Sequence, residues 1–344
     1  YNSLQNVLSI MDKFHKAAGL KLNKGKTDAM WLGIKGHRKK GLGIKWQDDK
    51  IFSLGIWFCK NEEDDEYLNV GKAYDKCCKI LEMWSHRKLS LKGRIAVIKS
   101  YALPKLLYVF NNVYVPEPII KKVKNTFFSY LWEDKPEKVK RSTIIQDYEL
   151  GGLKMINFEY MFKSMKAMWV KRMMMNKEAK WLLFAKSAID IELEDFIKCN
   201  FCKKSIPGNF SKFYKQVFSY WAEITESTLN LDDPWCLRRQ PIYYNRHILS
   251  GGQYYNNQWK STIYNSNIKI IHDICNTNGT IMSKQQLEGS YDMHISILEY
   301  NSLISSIPKH WKTTLKSQKI PREAISVQEI FHIRLNTLDR NIFE

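Results

Sequence analysis

The sequence predicts an α+β protein, mostly α-helical, in which a few short strands near the start give way to a long helical remainder. Three observations carry this. Apolar residues recur at three- and four-residue steps over residues 3–18, 68–84, 95–102, 119–132 and 158–172, whereas period-two alternation is confined to residues 20–32 and 51–56. Hydrophobic residues make up 44% of the 344 and aromatic ones 13%, enough to build cores for two or three domains. Lysine and arginine number 54 against 35 acidic residues, a net charge of +19 that favours a polyanionic partner, and most of the excess falls in residues 1–200.

Taken in order, Leu4, Val7, Leu8, Met11, Phe14 and Ala18 lie on one face of a helix that Gly19 is suited to end. Leu20 and Leu22 alternate with Lys21 and Asn23, the pattern of a short half-buried strand, and Asn23 to Lys26 reads as a turn in which Gly25 takes positive φ. A second strand runs through Ala29 to Leu32. His37 to Gly43 reads as a mobile loop, and Ile51 to Ile56 as a further short apolar strand. Trp46-Gln47-Asp48-Asp49 has the form of an aromatic-x-Asp-Asp metal box but is flanked by Lys45 and Lys50 rather than by apolar strand residues, so it is read as a polar turn. The run Glu62 to Glu66 is read as an exposed loop, because a metal site needs convergent, rigidly held oxygens.

Val70, Ala73, Tyr74, Cys77, Ile80, Leu81 and Trp84 keep helical spacing over more than four turns. Ser90 then offers an N-cap to a second helix that runs through Ile95, Ile98, Tyr101 and Ala102 until Pro104 interrupts it. Arg87, Lys88, Lys92, Arg94 and Lys99 load the start of this helix with cations. They oppose the helix dipole, at a few tenths of a kcal/mol each, unless phosphates bind there. Trp84 and Tyr101, of a type that also stacks on unpaired bases, are read as core at this helical spacing. Pro116 and Pro118 start a third helix through Val123 and Phe127 to Trp132, and the three together predict a compact bundle.

Residues 133–142 read as a linker or exposed turn, followed by Gly151-Gly152-Leu153. Met161, Phe162, Met165, Met168, Trp169 and Arg172 share a helix face that reads as adaptable core. Beyond residue 176 the sequence predicts shorter helices separated by loops at Pro207, Asp232 to Pro234 and Gly251-Gly252. Cys199 and Cys202 form a lone Cys-x-x-Cys; Cys236, His247 and Cys275 are not at zinc-site spacings, so no metal ligands are assigned.

Gly19-Leu20-Lys21-Leu22-Asn23-Lys24-Gly25-Lys26-Thr27, closing on Gly33, resembles the lysine motif that follows the catalytic aspartates in reverse transcriptases of non-LTR (LINE-type) retrotransposons. Further matches follow in the family's order. Phe52, Leu54 and Gly55 resemble its primer grip. Trp84-Ser85-His86-Arg87-Lys88-Leu89-Ser90-Leu91-Lys92-Gly93-Arg94, then Leu103, Pro104, Lys105, Leu106 and Tyr108, resemble the thumb signature. Gly151-Gly152-Leu153 resembles the element after the thumb. Looser phrases follow at Asn209 to Lys215, Trp221 to Ile224, Asp273 to Cys275, Gly279 to Met282 and Ile307 to Lys312.

The resemblance implies a palm remnant of short antiparallel strands over residues 1–58, a helical thumb over 59–135 and a helical post-thumb region over 136–344. It implies a fragment of an RNA-directed DNA polymerase, with Lys26 as the acid that assists the leaving pyrophosphate and Lys24 as its competitor. Arg87, Lys88, Lys92, Arg94 and Lys99 would hold template and primer backbones. The family's metal-binding aspartates precede the lysine motif and have no counterpart before Gly19. The fragment is therefore expected to bind no cofactor itself, Mg²⁺ belonging to the complete polymerase, and to be inactive alone. Expected partners are an RNA and DNA template-primer and an upstream fingers and palm segment.

Tyr1, in place of a methionine, reads as a start inside a longer frame. The alternative is a non-enzymatic basic helical protein derived from such an element, binding nucleic acid or another protein. An odd seven cysteines, with Cys77 beside Cys78, point to a reducing compartment, and no apolar run of membrane-spanning length occurs. Nuclear residence follows only from the resemblance; the basic cluster Lys35 to Lys40 is too weak to signal it.

Overall fold

The computed structural model describes residues 2–33, 40–225, 231–250, 253–254 and 260–316, and it is mostly helical with a few short strands. The expected features at Lys35 to Arg38 and Lys39, His37 included, and at Gly251-Gly252 lie outside the described residues. The chain divides into two compact units, Tyr1–Ile156 and Asn157–Glu344. The division falls later than the thumb boundary read at 135/136, because residues 141–156 pack within the first unit: Ile144 and Met155 are buried, and the Leu153 and Met155 amides both donate to the Ile144 carbonyl.

In the first unit, helix α1 spans Asn2–Ala18 and ends at Gly19, whose φ of 71° lets its amide donate back to the His15 carbonyl at 2.8 Å. No residue of α1 is buried. The strand expected at Leu20 to Leu22 does not form: Leu20 is 68% exposed and the segment finds no neighbouring strand to pair with. The turn after it also differs from expectation. Lys24–Lys26 forms a 3-10 turn capped by the Asn23 side chain, which accepts from the Lys26 amide at 3.2 Å, so Gly25 keeps an ordinary φ.

Strand β1 (Asp28–Met30) pairs with β2 (Lys45–Gln47) in parallel, where antiparallel strands were expected, and Trp31 stacks on Trp46 at 5.3 Å. Strands β3 (Lys50–Ser53) and β4 (Ile56–Cys59) form an antiparallel hairpin turned by Leu54 (φ 49°) and Gly55 (φ 81°). Positive φ at both central residues is the twist-compatible turn for a two-residue loop, and the leucine pays strain for it.

The acidic run is helix α2 (Glu62–Glu66) rather than a loop. Asn61 caps it through the Glu63 amide at 3.0 Å, and four carboxylates in the first turn complement the helix dipole. A π-turn over Tyr67–Gly71 carries α2 into α3 (Lys72–Ser85), which buries Ala73, Cys77 and Leu81. Buried Asn69 reads the β4 backbone at both ends of its amide: its Oδ1 accepts from the Trp57 amide at 2.8 Å and its Nδ2 donates to the Trp57 carbonyl at 2.9 Å. That bidentate pair fixes the hairpin to the helical bundle.

Ser90 caps α4 (Leu91–Val97) as expected, its hydroxyl accepting from the Gly93 amide. The helix does not stop at Pro104. A π-turn over Ile98–Ala102, closed by the Leu103 amide on the Ile98 carbonyl at 2.9 Å, absorbs the missing proline N–H and leads into α5 (Pro104–Asn112). Helix α6 (Glu117–Trp132) completes the bundle, burying Ile120, Val123, Phe127 and Leu131 against α3 and α4. Burial of each such side chain contributes roughly 1.5–3 kcal/mol. Helix α7 (Arg141–Ile145) follows, held to the end of the bundle by Arg141, which stacks on Phe128 and donates to Asn125 at 2.9 Å.

In the second unit, α8 (Phe158–Met175) packs along α11 (Lys212–Thr225). Between them in sequence lie α9 (Leu182–Lys186) and α10 (Leu193–Lys198). The buried face of α8 is Phe158, Phe162, Lys166, Ala167, Val170 and Met173; the expected methionine stripe flanks it half-buried, and Arg172 is exposed. Phe196, Phe201, Phe210 and Phe218 form the aromatic centre of the core. Asp233 and Pro234, read as a loop, start α12 (Pro234–Arg238), with the Asp233 carboxylate accepting from the Trp235 amide. The hairpin β5 (Leu249–Ser250) and β6 (Gln253–Tyr254), then α13 (Lys260–Asn265), α14 (Lys284–Tyr291), α15 (Ile297–Ser306) and α16 (Lys309–Leu315), close the unit. Ser283 and Ser296 start α14 and α15 with reciprocal capping boxes.

Candidate nucleic-acid interface

The cations of the Arg87 to Lys99 segment separate into two kinds. Arg87 lies over the Trp84 ring at 4.4 Å, and Trp84 packs on Tyr101 with centroids 5.2 Å apart. Tyr101, read as core, is 50% exposed, whereas Trp84 is half-buried with the Arg87 guanidinium over its ring. Lys88 and Lys92 are exposed, Lys92 over the Tyr148 ring at 5.0 Å. These groups present positive charge to solvent on an aromatic floor, which holds long side chains in place without neutralising them.

Arg94 is different in kind. It is 8% exposed, and its guanidinium donates to the Leu89, Tyr130 and Leu131 carbonyls and to the Glu133 carboxylate. Tyr130 and Leu131 lie in the last turn of α6, where the Tyr130 carbonyl also accepts from the Glu133 amide, and beyond it Glu133 turns into the left-handed region with φ 53°. The Arg94 and Lys135 contacts hold the Glu133 carboxyl down at a pKa of about 2. Arg94 is thus a helix-end clamp inside the bundle and leaves the set of phosphate-binding candidates. Its place in the sequence, four residues after Ser90, shares the spacing of the exposed cations and gives no warning of this.

Lys99 stands on the π-turn. Partial burial, followed by the nearby Lys154 ammonium, pushes its pKa below the usual lysine value. Lys154 itself is exposed, in the left-handed region at φ 53°, and paired to Asp147 at 2.9 Å. Tyr148 therefore joins Lys92 at the cation segment, with Lys154 following six residues later, although the sequence reading assigned neither. The available signal is the Gly151-Gly152 pair. Gly151 has φ 76°, and a Cβ on Gly152 would stand 1.9 Å from the Gln146 carbonyl oxygen, so only glycine permits the reversal that returns residues 153–155 beside 144–146.

The primer-grip-like residues sit at the tip of the β3–β4 hairpin, with Phe52 54% and Leu54 87% exposed. The Tyr108 hydroxyl of α5 donates to the Leu54 carbonyl, and its ring fills the space where a Gly55 side chain would be, 3.0 Å from the would-be Cβ. The tip is thereby braced on the helix that follows the cations. Lys24 and Lys26 both project from the 3-10 turn before β1 and are exposed.

The carboxylates do not fit a two-metal centre. Asp48 pairs with Lys40 at 2.6 Å on the surface, and the Asp49 backbone carbonyl accepts from the Lys60 amide. Among the described residues no three His, Cys, Asp or Glu side chains converge as a metal would require. Cys199 donates to the Asp195 carbonyl, and burial pushes the Cys275 thiol up to about 12. Among the described residues no helix is long and apolar enough to cross a membrane. No protein-family model matches the sequence.

Proposed function

We propose that the first unit binds the sugar-phosphate backbone of nucleic acid, and that the chain is the palm end, thumb and post-thumb region of a LINE-type reverse transcriptase. The observation that carries the binding reading is the exposed set Arg87, Lys88 and Lys92, of which Arg87 lies over Trp84, itself packed on Tyr101, and Lys92 over Tyr148. Among the described residues no carboxylate pairs with Arg87, Lys88 or Lys92, and cations so placed suit phosphates spaced along a strand. The reverse-transcriptase reading rests on the ordered sequence matches. The braced hairpin tip supports it, since a tip carrying exposed Phe52 and Leu54 offers apolar contact to the sugar or base at a strand end. In this reading Lys26 remains the residue assigned to the leaving group, and the described residues hold the substrate strands rather than the metal ions.

The test is binding of the chain to an RNA–DNA primer-template duplex between about 50 and 200 mM salt, beside an Arg87→Ala/Lys88→Ala/Lys92→Ala variant. With 6 to 10 phosphate contacts, affinity falls roughly 10³- to 10⁵-fold across that range, and the variant's log–log slope is shallower by about 0.9 for each contact removed. A slope shared by wild type and variant overturns the assignment of this face. Equal affinity for a blunt duplex and for a recessed 3′ end removes the strand-end part of the reading while leaving backbone binding intact.

A further inference from the structure

In the second unit the loop 275–282 and helix α14 enclose a pocket whose walls are fixed. Ser283 caps the start of α14, and at its other end the Tyr291 hydroxyl donates to the Asp273 carbonyl at 2.7 Å. The loop is closed by an antiparallel bridge between Cys275 and Ile281 and by the Asn276 amide, which donates to the Thr280 carbonyl at 2.7 Å. Between them lies a cavity of about 340 Å³, with the almost wholly buried Cys275 and Met282 in its lining. Among the described residues none of those lining it is charged, although 26% of the chain is. The charged groups of α14 and its end lie off the pocket, Lys284 pairing with Glu288 at 2.8 Å and His294 reaching Glu288 at 3.1 Å. The rim is hydroxyl and amide instead. Thr277, Gln285 and Ser290 are exposed on it, and Gln286, whose Oε1 accepts from the Ser283 amide at 2.9 Å, keeps its Nε2 to donate.

Gly289 points the same way. It stands inside α14 without a positive φ, where glycine is a poorer helix former than alanine, and a Cβ added to it would meet nothing within 4 Å. The fold has no steric need of a glycine there, but Gly289 lines the pocket, and a longer side chain would fill it. We propose that this pocket binds one nucleobase, its face against Met282 and Cys275 and its edge against the amides and hydroxyls of the rim. The volume is at the small end for ligand pockets and suits one base with its sugar. The lining offers a charged ligand no counter-charge, and so favours an uncharged one. A polarisable thioether suits a flat aromatic face, and a side-chain amide sets a donor beside an acceptor, as base edges do. The inference takes from the backbone-binding reading only the class of ligand, and adds base contacts in the second unit to phosphate contacts in the first.

The experiment follows the Met282 methyl by NMR in the full chain labelled at its 12 methionine methyls, with Met282→Leu to assign it. Adenosine, guanosine, cytidine and uridine, each at millimolar concentration, are expected to shift it unequally, and ribose not at all. Gly289→Leu is expected to melt no lower than wild type and to abolish the shift. Gly289→Ala keeps the shift, and Gln285→Ala narrows the difference among the bases. A single strand of the favoured base that moves the methyl, where an abasic strand does not, makes the source an unpaired base in nucleic acid. A response confined to the nucleoside makes it the free molecule. Equal shifts from all four nucleosides, a comparable shift from ribose, a shift that survives Gly289→Leu, or no shift each overturn the pocket. A flat salt slope with a responsive Met282 methyl overturns the backbone-binding reading alone; a steep slope with a silent methyl overturns the base pocket alone.

Discussion

The two units use positive charge in opposite ways. The first sets Arg87 and Lys92 on aromatic rings with Lys88 exposed beside Arg87 in sequence, and buries Arg94 only where helix carbonyls and Glu133 receive it. The second places cations in its core: Lys166 is fully buried between the Phe162 and Phe213 rings, Arg238 is fully buried beside His272, and Arg239 is buried against Trp235. A net charge of +19 counts all of them alike. Only the cations left in water can touch a phosphate and release its counterions; the buried ones add to the overall field and otherwise bear on stability. The argument for phosphate contacts therefore draws on the surface of the first unit and gains none from the core of the second.

The sharpest way to break this comparison is to treat Arg94 as its neighbours are treated. Arg94→Ala removes a buried guanidinium from the Leu89, Tyr130 and Leu131 carbonyls and from Glu133 and is expected to destabilise the first unit by about 3 kcal/mol, read as a shift in the denaturant midpoint. Below the midpoint, the folded variant should keep the wild-type salt slope for duplex binding. A variant that melts normally but loses slope would return Arg94 to the interface.

Lys166 supplies the next effect. Burial lowers its pKa to about 7 in the folded chain, against about 10.4 in an unfolded one. Below pH 7 both states carry the proton and the folded state bears the full cost of a buried charge. Between about 7 and 10.4 the unfolded chain binds the extra proton, so stability rises with pH by at most about 1.4 kcal/mol per unit, and above that window it is flat. Lys166→Met is accordingly expected to stabilise the second unit by about 4 kcal/mol at pH 6, with the advantage shrinking towards zero as pH rises towards 10. Parallel denaturant curves at pH 6, 8 and 10 check this, and a gap that stays constant with pH would mean that Lys166 folds without losing its proton.

What the sequence revealed follows the range of the forces involved. The helices at 68–84 and 119–132, the Ser90 cap and the Gly19 stop rest on neighbours a few residues apart, and these were legible. The strand at Leu20 to Leu22 was not, because a strand forms only where a second strand meets it. The acidic run looked like a loop until Asn61 capped it, although carboxylates at a helix start are favourable. Met161, Met165 and Met168 had the right period and the wrong phase: Lys166, polar by type, occupies the buried face they were expected to hold. At the interface, Lys88 and Lys92 could be found by charge and spacing. Arg94 could be separated from them only by knowing that α6 ends beside it, and Tyr148 added only by knowing that its ring meets the Lys92 ammonium.

The smallest expected effect concerns α1, which has the apolar period of α3 and none of its burial. Ile10 is 63% and Phe14 52% exposed, whereas Cys77 and Leu81 of α3 are almost wholly enclosed. A side chain already in water in the folded state has little transfer free energy to lose. Ile10→Ser and Phe14→Ser are therefore each expected to move the unfolding free energy by less than about 0.5 kcal/mol, well below the Arg94→Ala effect in the same denaturant assay. The isoleucine is the cleaner probe, since serine at an exposed helix site loses only a few tenths of a kcal/mol of propensity. A loss of about 2 kcal/mol would show that the face is covered in solution, and repeating the measurement over a tenfold range of protein concentration would then tell a second copy from another part of the same chain.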